Sequence, residues 1–240
     1  RGVKGFVDSK EVLVGSIKLM NENNIEVSEV EKFNQLEEEA KTVIAIAIDK
    51  SFVGMIAVAD AIKDDSQNAI KELQEMGIKT VMLTGDNQRT AKAIAKIAGI
   101  EEVIAEVLPD GKVSEIKRIQ NEGTIIAMVG DGINYAPALT QAEVGIAIGT
   151  GTDIAIEASD VTLVQGNLSA VVSAIKLSKA TFRKIKQNLF WAFIYNLVAV
   201  PIAILGLLHP AIAELAMATS SITVVSNANL LKRANIRPKY

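Results

Sequence analysis

Thr124-Ile125-Ile126-Ala127-Met128-Val129 runs directly into Gly130-Asp131-Gly132. A short apolar run that stops at a turn signal predicts a strand buried on both faces. The carboxylate that follows stands between two residues without side chains. The same pattern appears upstream, where the β-branched run Lys79–Thr84 ends in Gly85-Asp86-Asn87. Helices are predicted around these strands. Ser66 is placed to cap one that ends near Gly77. A second follows Asn87 to about Ala98, with Gly99 at its end, and Pro109 opens a third that stops near Gly123. Val144–Ile148 and Val161–Val164 read as further short strands. Strand and helix thus alternate from about residue 60 to 175, which predicts an α/β fold with a parallel sheet covered on both faces. Ligands bind such sheets at the carboxyl ends of strands, where both Gly/Asp turns fall.

Residues 1–59 follow another pattern. Thr42–Ile48 and Phe52–Ile56 alternate around Asp49-Lys50-Ser51, as a β-hairpin does. Glu37-Glu38-Glu39 reads as a solvated helical face. The segment is short for a complete α+β domain.

Charge separates the chain into an acidic front and a basic tail. From Lys176 onward there are nine Lys and Arg against the single acid Glu214, a net of +8, while residues 1–175 carry −11. With 49% apolar residues and a mean hydropathy of +0.28, this pattern suggests a soluble domain joined to a membrane segment. No basic stripe with interleaved aromatics appears, so a nucleic-acid partner is not expected. Cysteine is absent, which excludes a disulfide scaffold, a thiolate metal site and a thiol nucleophile. The amino terminus is not a signal peptide and has no initiator Met, as in a piece of something longer.

Leu189–Leu208 holds 20 uncharged residues, enough to cross roughly 30 Å of hydrocarbon as a helix. Pro201 within it is tolerated in a membrane helix. Leu208-His209-Pro210 predicts a tight turn, and Ala211–Leu231 a second, more polar span. Basic residues flank both ends, so both ends are expected on the cytoplasmic side, with Phe190 and Trp191 near the interface. The alternative is a buried hairpin in a soluble core. The expected membrane helices are residues 187–208 and 211–231. His209 is read as structural.

The turns suggest a chemistry. Asp131 is a hard oxygen donor of the kind that holds Mg²⁺ beside a phosphate. Thr84 offers a hydroxyl at the neighbouring strand end, and Lys112 in the first turn of its helix offers a point charge. Metal, cation and donors around charged oxygens are the parts of phosphoryl transfer. Taken singly, each residue is equally an ordinary turn, surface or strand residue.

Thr84-Gly85-Asp86-Asn87, Lys112 after Leu108-Pro109-Asp110, and Met128–Asn134 resemble the phosphorylation-domain motifs of P-type ATPases. That domain has the haloacid-dehalogenase-like fold. Ala136-Pro137-Ala138-Leu139 and Gly145–Gly149 continue the resemblance, which covers nearly the whole chain. It implies that residues 1–59 are the end of a nucleotide-binding domain, 60–175 a phosphorylation domain lacking its phosphorylated Asp, and 176–240 the last two membrane helices. Gly2 and Gly5 resemble the tail of a glycine-rich ATP-binding segment, although a simple glycine turn reads as well. Catalytic roles are implied for Thr84, Gly85, Asp86, Lys112, Asp131 and Asn134, with ATP and Mg²⁺ as cofactors. Arg89 is read as structural.

The tail is similar to the copper-transporting group, where Tyr, Asn, Met and Ser line a copper(I) path. The matching residues are Tyr195, Asn196, Met217 and Ser221. A thioether suits Cu(I), and polar groups at membrane depth face a pathway or a partner helix. The ordinary alternative is that Ser and Asn join helices and Met fills a gap. The implied parent is a multi-pass pump of the cell membrane with its soluble part in the cytoplasm. Its partners are copper(I), the bilayer and the missing amino-terminal part of the polypeptide.

Three departures stand out. The Asp-Lys-Thr-Gly-Thr and Cys-Pro-Cys motifs are absent. Tyr135 stands where the family has Asp, and a neutral phenol is a poor Mg²⁺ ligand. Ser16 replaces a common Asn. Two other functions remain in view: a membrane-anchored phosphatase of the same fold, and a degenerate, non-catalytic interaction fragment.

Overall fold

The structure, a computed structural model, describes residues 2–149, 153–207 and 209–240. It separates into two units, Arg1–Leu168 and Ser169–Tyr240.

The first unit opens with four antiparallel strands in sequential order: β1 (Gly2–Val7), β2 (Lys10–Gly15), β3 (Thr42–Ile48) and β4 (Ser51–Val58). Two hairpins turn on Asp8-Ser9 and Asp49-Lys50, with φ of 48° and 66° and of 47° and 64°. Two consecutive left-handed residues make the turn whose twist matches the flanking strands. The second hairpin is the expected one; the first is not. Gly2 and Gly5 lie in a strand rather than in a turn, and Gly2 pairs with Gly15. A Cβ on Gly2 would stand 2.0 Å from the Val14 carbonyl oxygen, so close approach requires glycine there. Gly5 has open space around it.

Alternate residues of β3, namely Val43, Ala45 and Ala47, turn inward with Leu13 of β2. Helices α1 (Ile17–Glu22) and α2 (Val30–Glu38) cover that face through Met20 and Phe33. Ser16 caps α1, its hydroxyl accepting from Leu19 N at 3.3 Å. Glu37 departs from the expected solvated face. It is 6% exposed, because α2 turns it inward one turn after Phe33 and Arg89 meets it there.

The parallel part follows. Helix α3 (Ser66–Glu75) precedes β5 (Val81–Leu83), and α4 (Gln88–Ala98) leads to β6 (Glu102–Ile104). Helix α5 (Pro109–Asn121) leads to β7 (Ala127–Gly130). After a 3-10 turn at Ile133–Tyr135 come α6 (Ala136–Gln141), β8 (Val144–Ile148), α7 (Asp153–Glu157) and β9 (Val161–Leu163). Helix ends obey the sequence signals, since Gly99 closes α4 at φ 79° and Gly123 follows α5 at φ 80°. Asp65, not Ser66, occupies the cap position of α3. Strand β6, only three residues long, has no counterpart in the sequence reading.

The strands pair in parallel as β5–β6 and as β7–β8–β9. No pairing joins β5 to β7 among the described residues, yet Leu83 of β5 packs on the cluster that holds Met128 of β7 with Ile116 and Leu139. The α/β fold with parallel sheets is therefore present, in two strips sharing one core.

The two halves of this unit meet along a polar seam. Arg89 donates to Asn34 Oδ1 at 2.7 Å and to Glu37 Oε2 at 3.1 Å. Thr90, fully buried, donates to the Lys41 carbonyl at 3.0 Å and accepts from Asn87 Nδ2 at 2.9 Å.

The second unit consists of α8 (Leu168–Ile204), α9 (Pro210–Asn229) and a 3-10 turn at Leu230–Arg233. Helix α8 has 37 residues and begins well before the apolar run. It is the one helix among the described residues long and apolar enough to cross a membrane. Helix α9 carries Glu214 and a run of hydroxyls, and falls short. Leu208 of the expected turn lies outside the described residues. Between the helices Lys184 Nζ donates to Asn227 Oδ1 at 2.8 Å, and Asn227 Nδ2 donates to Asn188 Oδ1 at 2.7 Å.

Replacing Thr90 by Val keeps the volume but strands two half-buried polar partners, which costs about 1 kcal/mol. Thermal unfolding of the detergent-solubilised chain should show the melting temperature of Thr90→Val lowered by several degrees. An unchanged value means the seam bond adds nothing to stability.

Candidate active site

Strand β5 ends in a loop that is tied to its neighbour by the main chain. Thr84 N donates to Ile104 O at 3.0 Å, Val107 N to Thr84 O at 3.1 Å, and Glu106 N to Asp86 O at 2.8 Å. Gly85 fits closely, since a Cβ there would be 3.3 Å from the Val107 carbonyl oxygen. Within the loop the Thr84 hydroxyl donates to Asp86 Oδ2 at 2.9 Å and accepts from Asp86 N at 3.2 Å. Asn87 Oδ1 accepts from Arg89 N and Thr90 N, both at 3.0 Å, and so caps α4. Asn87 is thus a structural member of its motif.

Leu108, extended before Pro109, starts α5 immediately after the laced loop. This places Lys112 in the first turn, where it is 5% exposed. Burial holds its ammonium below the usual lysine range, and the nearby Asp86 carboxylate opposes that shift. Lysine is rarely buried without a partner. Here the Nζ lies 3.8 Å from the centroid of the Tyr135 ring. Tyr135 is half-buried, and its phenol is raised above the ordinary range by burial first, then by Asp131 and Asp86. It stays neutral at physiological pH.

Five sequence-predicted residues are linked in this way. Thr84 bonds to Asp86, Asp86 acts on Lys112 and Tyr135, and Asp131 acts on Tyr135. Gly85 forms the loop between Thr84 and Asp86. Asp131 and Asn134 are exposed beside them at the end of β7. A cleft of about 740 Å³ borders the loop, lined by Ser16, Glu37, Gly85, Asn87, Arg89 and Leu108 among others.

The remaining candidates lie elsewhere. Gly2 and Gly5 sit in the edge strand β1. In the second unit, the Tyr195 hydroxyl faces Thr223 Oγ1 of α9 at 3.4 Å. Asn196 Nδ2 donates to Ala192 O at 3.1 Å, and Ser221 Oγ to Met217 O at 3.2 Å, each within its own helix. Met217 is 72% exposed. The helix pair brings only Tyr195 of these four to its inner face.

The donor set can be tested for Mg²⁺. Among the described residues no group of three His, Cys, Asp or Glu side chains could hold a metal. Asp131 is one exposed carboxylate at a strand end. That suits an ion which keeps several waters and takes one or two carboxylates plus phosphate oxygens.

The family model for haloacid dehalogenase-like hydrolases matches residues 3–143. The chain belongs to that family. It is 53% identical over 98% of its length to a Copper-exporting P-type ATPase of Staphylococcus saprophyticus, and 50% identical over 99% to that of Staphylococcus aureus strain JH9. It spans about 30% of the length of each of these relatives. A solved structure of a zinc-transporting PIB-type ATPase superposes with a TM-score of 0.75 at 35% identity. That match covers 96% of this chain and 37% of the other. A second solved structure of a zinc-transporting PIB-type ATPase, in another state, gives 0.72. The resemblance drawn from the motifs is therefore present along the whole chain.

A buried ammonium without an ion pair is a burden on folding. Lys112→Met, similar in length and apolar, should hold or raise the melting temperature of the solubilised chain. A fall of more than a few degrees would show that the ammonium supports the fold.

Proposed function

We propose that these residues are the carboxyl-terminal part of an ATP-driven copper(I) exporter, and that Thr84, Gly85, Asp86, Lys112, Asp131 and Asn134 form its phosphoryl-transfer site. The observation that carries this reading is the buried Lys112 ammonium 3.8 Å from the ring of Tyr135, on the turn that carries Asp131, with Asp86 of the other loop acting on both. The open edges of β5 and β7 support a further strand between them. The aspartate that accepts the phosphoryl group would come from polypeptide outside these residues.

In phosphoryl transfer, charge spreads over three oxygens while the attacking and leaving oxygens line up, so catalysis is mainly positioning and electrostatics. Lys112 places one positive charge where those oxygens gather, and its burial strengthens that charge by excluding water. The Thr84 hydroxyl donates a hydrogen bond to Asp86 and can redirect it to a phosphoryl oxygen. Asp131 would hold Mg²⁺, which when bound neutralises part of the phosphate charge. The phosphorylation state would bias a membrane gate between two conformations.

Copper(I) as cargo is supported by the names of the relatives and by the uncharged run Leu189–Leu208. The zinc-type relatives would show a Lys and an Asp in the two membrane spans, and this chain has neither. Tyr195, Asn196, Met217 and Ser221 remain the candidates for the path. Exposure of Asn196, Met217 and Ser221 is consistent with further helices packing on them. Helix α9 would join α8 as the second span, with the soluble part in the cytoplasm.

Tyr135 favours a second reading, in which the chain is a non-catalytic relative. A chimera separates the two. These residues replace the matching stretch of the Staphylococcus saprophyticus protein, and ATP hydrolysis and acid-stable phosphoenzyme are measured with Cu(I) and with Zn²⁺. We expect Cu(I)-stimulated hydrolysis, lost with Lys112→Ala and raised several-fold by Tyr135→Asp. Activity appearing only with Tyr135→Asp supports the non-catalytic reading. Stimulation by Zn²⁺ alone rules out copper, and silence of both proteins rules out the site.

A further inference from the structure

Lys112 is the only buried lysine among the described residues, and no ion pair joins it to a carboxylate there. A cation in that position needs something to hold it. Asp86 acts on it from the Thr84 loop, and a ring lies against it, with the Nζ 3.8 Å from the centroid of Tyr135. A ring face is electron-rich and attracts a cation, the more so where water is excluded.

The ring is itself fixed. A Cβ on Gly130 would come within 2.9 Å of both Cβ and Cγ of Tyr135, and one on Gly132 within 3.5 Å of Cδ2. Gly130 therefore makes the room that the ring fills, whereas a Cβ on Gly132 would merely touch it. The Tyr135 N–H donates to Gly132 O at 3.0 Å and closes the turn. Strand end, turn and ring are thus joined, and the ammonium lies over the ring.

We propose that Tyr135 is a positioning residue, whose ring holds the Lys112 ammonium at the carboxyl end of β7 by a cation–π contact. The inference rests on Lys112 being the phosphate-binding cation of the site proposed above. A carboxylate at 135 would hold the same cation by charge, but it would also repel an incoming oxyanion. The ring does the holding with one negative charge fewer. The site then presents its cation to a phosphoryl group with less dependence on a divalent ion to offset the local carboxylates.

The test reads Lys112 directly. The intact chain in detergent is treated with an amine-reactive N-hydroxysuccinimide ester, and modification of the Lys112 peptide is followed by mass spectrometry. Lys112 in the native chain should react slowly. Tyr135→Phe keeps the ring and should react at the native rate. Tyr135→Leu keeps an apolar side chain but loses the π face, and should react about fivefold faster, the equivalent of ~1 kcal/mol. If Leu disrupts folding, pentafluorophenylalanine at 135 keeps the ring shape, reverses its quadrupole and should give the same rise. Equal rates in the native chain and the Leu or fluorinated variant overturn the proposal, as does a Phe variant as fast as Leu. A separate arm adds inorganic phosphate with and without Mg²⁺. Protection of Lys112 without Mg²⁺ in the native chain, with protection requiring Mg²⁺ in Tyr135→Asp, is the expected result. Failure of phosphate to protect in any form removes the oxyanion role, and the positioning role with it, even where the Phe and Leu rates differ.

Discussion

A lysine ammonium kept from water is the constraint around which the first unit is arranged. Transfer of such an ion into a protein interior costs several kcal/mol unless its surroundings compensate. Lys112 is compensated by a carboxylate on one loop and an aromatic face on another, and neither belongs to its own helix. Those loops must therefore stay where they are. The main-chain bonds from Glu106 and Val107 to Asp86 and Thr84 hold one, and the glycine-lined turn after β7 holds the other. Helix α5 starts directly behind the first loop, so the side chain has little freedom to retreat. Local rigidity and an electrostatic demand reinforce each other here.

The polar seam extends this arrangement to the antiparallel sheet. Asn87 ends the Thr84 loop, caps α4 and touches Thr90, which in turn bonds to the main chain just before β3. Arg89, one residue from Thr90, reaches α2. A motif that looks purely chemical in the sequence therefore has two jobs. Its first residues face the site, and its last residue fastens the site to the rest of the unit.

Much of this was legible in the residues because the signals were local. The runs before Gly85 and Gly130 are short, apolar and punctuated, and Gly99 and Gly123 announce helix ends that the backbone confirms with positive φ. What the local signals do not carry depends on contacts far apart in the chain. Glu37 looked like one of three solvated acids, because the arginine that meets it is 52 positions away. The β1–β2 hairpin is hidden because Gly2 and Gly5 suggest a turn, whereas Asp8-Ser9 turns the chain. Strand β6 is too short to leave a periodic trace, and parallel pairing with β5 defines it. At the site, Thr84, Lys112 and Asp131 are legible from their types and positions, and Asp86 from the family resemblance. The position of an aromatic ring under the ammonium was not, since Tyr135 registered only as a missing carboxylate. A glycine five residues before an aromatic is the trace that could have revealed it.

Helix α8 offers a mechanical consequence. Its 37 residues pass from a basic stretch into an apolar one with no loop or glycine between them. At 1.5 Å per residue this is a shaft about 55 Å long. A helix without an articulation resists bending, so a tilt or twist imposed at its polar end is delivered almost undiminished to the apolar end. Pro201 comes only near the far tip, where a lost amide softens the rod after most of its length. Any displacement it carries would therefore arrive as a lever stroke, with compliance confined to the last turns.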